Sequence, residues 1–266
     1  MLAPRLVLTS LALAAFAAHH WRAGRQCTQG GTVAIIAVLK NEHDVLEEWL
    51  RHHIAEGITS FYIVDNDSAP PLRVGSDLKR SVKITRSAKR YAQVEHLNAL
   101  ADDARAQGHS WILSIDADEY VWPVNNASTV ANVLRDLSCS CASVKLPLLN
   151  FGDGGLTEMP ESVRRGFLIR EEGPRAVRGI DAYIENYVYK PHTKRAWKWA
   201  ARGNQLQSAR VHKPVMRHAL SKACTTPLIV NHYGLMTYNR FMRIKETRGD
   251  VAEREFSNVR NRDYFF

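Results

Sequence analysis

Three acids stand together where an apolar stretch ends: Asp116, Asp118 and Glu119 directly follow residues 111–115 and precede Tyr120-Val121-Trp122-Pro123. Residues i and i+2 of a chain leaving a strand point to one side. Asp116 and Asp118 are therefore expected to address a single divalent cation, Mn²⁺ or Mg²⁺, through hard oxygen ligands. A cation held there neutralises charge that grows on a diphosphate as it departs. A bare Asp-x-Asp is a weak pattern, and the chain carries a second at Asp65 and Asp67. The hydrophobic flanks favour Asp116 and Asp118, because a solvated acidic turn needs no such setting.

Positioning these acids requires strands and helices in a definite order. Residues 32–39 form an almost unbroken apolar run rich in branched side chains, as in a parallel strand buried on both faces. Asn41 then reads as an N-cap and Glu42 and Asp44 as first-turn acids. Val45, Leu46, Trp49, Leu50 and Ile54 recur at helical spacing up to Gly57. A second strand at 60–64 stops in the turn formers Asp65-Asn66-Asp67-Ser68-Ala69-Pro70-Pro71. A short strand at 82–85, a helix carrying Tyr91, Val94, Leu97, Ala101 and Ala104 on one face, and a strand at 111–115 complete the regular half.

This alternation predicts a single-domain, doubly wound α/β fold with a mostly parallel sheet and helices on both faces. Ligands bind such sheets beyond the carboxyl ends of the strands, where Asp65 and Asp116 both fall. The rest is less regular, with a helix expected at 129–137, a strand at 143–148, a loop-rich stretch at 151–210, a strand at 228–231 and a helix at 238–248.

Composition narrows the class. The 266 residues include 45% hydrophobic and 24% charged side chains, the balance of a globular chain with its own core. The formal charge of +9 favours anionic partners, but Lys and Arg are scattered rather than massed, which argues against a nucleic-acid arm. Arg5 and the apolar run at 6–18 predict a signal peptide or short type II anchor over 1–20, with a linker over 21–31. Entry to the secretory pathway, lumenal or secreted, and membrane association through the N-terminus would follow. The sequons at Asn66 and Asn126 agree with that route. Four cysteines are too few for a disulfide framework; one bridge is possible, and ordinary packing is the expectation.

Several motifs recur together in a known group. Ala37-Val38-Leu39-Lys40-Asn41-Glu42, Glu48-Trp49-Leu50, Gly57 and Val64-Asp65-Asn66-Asp67-Ser68 resemble the opening of the family 2 glycosyltransferases. More narrowly, Asp116-Ala117-Asp118-Glu119, Asn150-Phe151-Gly152-Asp153-Gly154-Gly155 and Asn231-His232-Tyr233 resemble family 92, across roughly residues 33–250. The resemblance implies a GT-A domain over 32–250 with a C-terminal tail over 251–266. It implies a nucleotide diphosphate sugar donor, a glycan or glycoconjugate acceptor, and inversion at the anomeric carbon. It also places Asp65 near the donor's base or ribose and makes His232 a candidate third metal ligand, a role that the sequence by itself gives no more than a structural histidine.

Other assignments stay open. Lys40, Asn41 and Glu42 can line the nucleotide site or simply begin the helix, and Asp65 can cap its strand as an Asx turn. An inverting enzyme needs a carboxylate to take the acceptor proton; Asp153 and Glu158 are the candidates, with Glu171 and Glu172 behind them. Lys190, His192, Lys194 and Arg195, near Trp197 and Trp199, can serve phosphates and a sugar face or form a basic surface loop. Two readings compete with the transferase. One is a metal-dependent nucleotidyltransferase or phosphohydrolase on the same acids. The other is a basic carbohydrate- or nucleic-acid-binding module without catalysis.

Overall fold

In the computed structural model, which describes residues 31–124, 128–169 and 197–245, the apolar run forms strand β1 (Val33–Leu39), buried at every position. Strand alternation divides it between two cores. Val33, Ile35, Ala37 and Leu39 pack with Val45, Leu46, Trp49 and Leu50 of α1 (His43–Ala55). Ala34, Ile36 and Val38 pack with Leu97, Leu100, Ala101 and Ala104 of α2 (Gln93–Ala106) on the opposite face. Each Val, Leu or Ile among them contributes about 1.5–3 kcal/mol on burial. The doubly wound α/β architecture expected from the sequence is therefore present, with helices on both faces.

Beside β1 lie β2 (Ser60–Asp65), β3 (Val82–Arg86) and β4 (Trp111–Ser114), all parallel, in the order β3-β2-β1-β4. After the acids the chain re-enters the sheet as β5 (Glu119–Pro123), then forms α3 (Val130–Asp136), the long β6 (Cys141–Asn150) and the short α4 (Val163–Gly166). Next comes β7 (Trp197–Arg202), which runs antiparallel between β4 and β6. The small β8 (Leu206–Ser208) and β9 (Val215–Met216) pair with each other outside the main sheet. They are followed by β10 (Lys222–Cys224) and β11 (Leu228–His232), both parallel to β6, and β5 closes the sheet antiparallel to β11. A helical turn, α5 (Tyr238–Arg240), continues as a π-helical turn over Phe241–Lys245.

Because β7 is antiparallel to both neighbours, β6 and β11 run in the same direction as β1, β2 and β4. One edge of the sheet thus gathers the carboxyl ends of β1, β2, β4, β6 and β11, and with them Lys40, Asn41, Asp65, Asp116, Asn150 and His232.

Four expectations change. The stretch at 151–210 is not loop throughout, since it contains β7 and β8. Helix α1 starts at His43 with Glu42 at its N-cap; Asn41 instead adopts a left-handed φ of 58°, which Asn tolerates better than most residues. The helix expected at 238–248 is α5 plus the π-helical turn as far as residue 245, the remainder lying outside the described residues. Cysteine packing gives way to a Cys141–Cys224 disulfide that ties β10 to the start of β6, and Cys139 is disulfide-bonded as well. Among the described residues no helix is long and apolar enough to cross a membrane; the apolar run at 6–18 lies outside them.

Candidate active site

The site is a consequence of register. In the antiparallel β5–β11 pair Glu119 lies opposite His232, and in the parallel β6–β11 pair His232 lies beside Asn150. Backbone bonds pin this row: Tyr233 N–H donates to Asp118 O and Phe151 N–H to His232 O, both at 2.8 Å. Side-chain ligand atoms of Asp118, Glu119 and His232 consequently lie within 4.8 Å of one another, with His232 Nε2 3.9 Å from Asp118 Oδ2.

Two buried carboxylates and one half-buried imidazole make a donor set suited to a hard-to-borderline cation such as Mn²⁺ or Mg²⁺. Ligand bonds of about 2.0–2.2 Å around one ion place neighbouring donor atoms roughly 3–4 Å apart, a range that the 3.9 Å between Asp118 and His232 meets.

Asp116 is arranged differently from its expected partner Asp118. The chain leaves β4 at Ser114 and turns, with Glu119 N–H donating to Asp116 O at 3.1 Å, so strand alternation no longer governs where the two acids point. Asp116 Oδ2 accepts from Lys198 Nζ at 2.7 Å. Lys198 comes from β7, is 1% exposed and also lies 3.1 Å from Glu119 Oε2. Against its own burial, Asp116 and Glu119 hold the Lys198 pKa above the ordinary lysine range. Burial, reinforced by Asp116 and Asp118 and opposed by Lys198, pushes the Glu119 carboxyl up to about 8. Among the described residues of this cluster the acids outnumber the one ammonium even with the Glu119 carboxyl protonated, and a divalent cation would offset the surplus.

The placement of Glu119 also depends on α1. Strand β5 is at the end of the sheet, and three α1 side chains occupy the edge a further strand would otherwise pair with. Trp49 Nε1–H donates to Glu119 O at 2.9 Å, Val121 N–H donates to His53 Nε2 at 3.2 Å, and His52 Nε2–H donates to Val121 O at 2.9 Å. Residues 49, 52 and 53 share a helix face, and Glu119 and Val121 share a strand edge, so 3.6-residue and 2-residue periods meet in register. Both histidines are therefore neutral, His53 donating through Nδ1 to Trp49 O and His52 accepting at Nδ1 from Arg164. Arg164 is paired in turn with Glu48.

At the ends of β1 and β2 the nucleotide-site candidates form one network. Asp65 is 1% exposed and accepts from Ser68 N–H and Leu72 N–H at 2.9 and 3.0 Å, the Asx-type cap that is one of the two roles its setting leaves open. Asn41 N–H donates to Ser68 Oγ, and Asn41 Oδ1 accepts from Ala69 N–H. Arg86, which sequence reasoning did not single out, reaches Ser68 O and Asp67 from the end of β3. Glu42 is buried and pairs with the equally buried Arg240 at 2.6 Å, while Asp44 receives both Arg240 and Arg243. That arrangement ties the π-helical turn to the start of α1. Lys40 is partly exposed at the end of β1.

Asp153 and Glu158 lie in the loop that follows Asn150, the first half-buried, the second exposed and 3.5 Å from Asn239 Nδ2. Glu171, Glu172, Lys190, His192, Lys194 and Arg195 lie outside the described residues. Trp199 is buried in the core and cannot offer its ring to a sugar, and Trp197 carries Lys145 Nζ 4.3 Å over its ring. Lys198 is a member of the acidic cluster that the sequence reading missed; its one signal is a lysine between two tryptophans in an otherwise apolar segment.

No family model matches the chain. It is 25% identical over 200 residues to a glycosyltransferase family 92 protein of Oryza sativa subsp. japonica, covering 68% of this chain and 32% of that protein. It is 26% identical over 186 residues to one of Ricinus communis, covering 63% and 32%. The chain thus spans about a third of the length of the curated relatives it matches. Among solved structures, mannosyl-3-phosphoglycerate synthase from Rubrobacter xylanophilus superposes with a TM-score of 0.34 at 13% identity, covering 68% of this chain and 56% of that one. That score is too low to carry a ligand assignment. In sequence the chain is thus similar to two glycosyltransferase family 92 proteins.

Proposed function

We propose that the protein is a metal-dependent, inverting glycosyltransferase of the GT-A type. It would move a hexosyl group from a nucleotide diphosphate sugar to a glycan or glycoconjugate acceptor in the secretory pathway. Galactose is the sugar suggested by family analogy. The observation that carries the reading is the Asp118–Glu119–His232 cluster on the sheet edge where α/β folds bind ligands.

Asp118, Glu119 and His232 are the residues that would hold Mn²⁺ or Mg²⁺, and the bound cation would neutralise the departing diphosphate. Lys198 keeps Asp116 and Glu119 in place from below. Lys40 and the Asn41–Asp65 network form the floor toward the nucleotide. The acceptor hydroxyl proton goes to a carboxylate of the loop after β6, Asp153 or Glu158.

A transfer assay tests this reading. Purified protein incubated with a panel of UDP- and GDP-sugars and mixed glycan acceptors, with Mn²⁺ or with EDTA, is expected to release nucleotide diphosphate in the presence of metal alone. Release that is indifferent to EDTA, or phosphate release without sugar transfer, contradicts it.

A further inference from the structure

His232 is offered to the cation site through one ring nitrogen only, and its neighbour decides which. Asn150 Oδ1 lies 2.8 Å from His232 Nδ1. An amide oxygen can only accept, so Nδ1 carries the proton, and in the neutral ring Nε2 keeps its lone pair. Nε2 is the nitrogen that lies 3.9 Å from Asp118 Oδ2. We propose that Asn150 is a positioning residue that locks His232 in the Nδ1–H tautomer, so that Nε2 faces Asp118 and Glu119 as a metal ligand.

Two further features hold the ring in that pose. Asn150 and His232 are register partners on the parallel strands β6 and β11, and the adjoining Phe151 N–H bonds to His232 O, so backbone pairing sets their approach. Residue 234 is glycine, and a Cβ there would stand 2.7 Å from His232 Cε1 and 2.9 Å from Nε2. Any side chain at 234 would force the imidazole to move. The Asn-Phe-Gly and Asn-His-Tyr motifs are thereby joined in one device, the first supplying the acceptor and the second the ring. Partners of this kind orient a ligating histidine and typically govern metal affinity by roughly 10–100-fold.

The inference rests on the metal reading of the proposed function, and its test has an arm that needs no metal. Long-range ¹H–¹⁵N correlation spectra of the metal-free protein report the His232 tautomer, with His232→Gln used to assign the signal. Wild type is expected to show Nδ1–H. Asn150→Ala is expected to shift the ring toward Nε2–H and to weaken Mn²⁺ binding, read by EPR, roughly 10–100-fold at an unchanged circular dichroism spectrum. Asn150→Asp, whose carboxylate also accepts from Nδ1–H, restores the tautomer, and this variant keeps the test decisive if Asn150→Ala does not fold.

A wild-type ring in the Nε2–H form overturns the proposal. So does an Asn150→Ala protein that keeps both the Nδ1–H tautomer and wild-type Mn²⁺ affinity. Wild-type protein that shows the Nδ1–H tautomer but binds no Mn²⁺ overturns instead the metal reading on which the ligand role depends.

Discussion

Lys198 and Glu119 face each other at 3.1 Å inside the acidic site, 1% and 2% exposed, one from the antiparallel β7 and the other from the first position of β5. An ammonium buried this deeply is tolerable only because carboxylates surround it, and the carboxylates are tolerable only because it is there.

Replacing Lys198 by Met should therefore remove the ammonium that Asp116 and Glu119 both contact and cost about 3–5 kcal/mol of stability. Added Mn²⁺ supplies the missing charge, so the metal-induced rise in melting temperature is expected to be larger in Lys198→Met than in wild type. Thermal melts with EDTA and with Mn²⁺ check both. Equal metal responses in the two proteins contradict the role given to Lys198.

Acid should loosen the joint between α1 and β5. Burial pushes His52 down to about 4 and His53 well below its ordinary value. Around His52 the Val121 carbonyl and Glu48 pull upward while Arg164 pushes downward. A folded-state pKa depressed below the unfolded value of about 6.5 means the unfolded chain binds the proton first. The stability involved is complete above about pH 6.5 and is lost as pH falls toward 4, about 3 kcal/mol for His52 alone at roughly 1.4 kcal/mol per unit. Urea titrations at pH 7.0 and 4.5 should show this loss, and His52→Gln should flatten part of it. A pH-independent midpoint contradicts the neutral-histidine edge.

These elements also show what could be read in advance. Strand β1 and helices α1 and α2 were legible because a single strong period, either continuous burial or 3.6-residue recurrence, governs each. Strand β5 was not, because Glu119-Tyr120-Val121-Trp122-Pro123 is short and its outer edge is satisfied by side chains of α1 rather than by another strand. The β7 segment Trp197-Lys198-Trp199-Ala200-Ala201-Arg202 has a cation at a buried position, which pattern reasoning assigns to a surface. Asp118 and His232 do converge, but Asp116 turns to Lys198 and Glu119 completes the cluster. Sequence spacing cannot foresee this, because alternation applies on a strand and the acids sit in a turn. The two- and three-residue strands β8 to β10 are too short to carry any period.

The Cys141–Cys224 bridge closes a separation of 83 residues and fastens β10 beside β6. Cys141→Ala/Cys224→Ala protein is expected to lose about 2–4 kcal/mol in denaturant unfolding, the usual range for a native bridge. An unchanged midpoint would mean that β10 is held by its strand pairing alone.

The most direct test of the central claim is calorimetric titration of a nucleotide diphosphate into wild type, Asp118→Asn and His232→Ala, each with Mn²⁺ and with EDTA. Binding by wild type in Mn²⁺ alone, weakened at least about tenfold in both variants, is the predicted result. Nucleotide binding that survives EDTA, or that both variants retain at wild-type strength, would contradict a cation held by Asp118, Glu119 and His232.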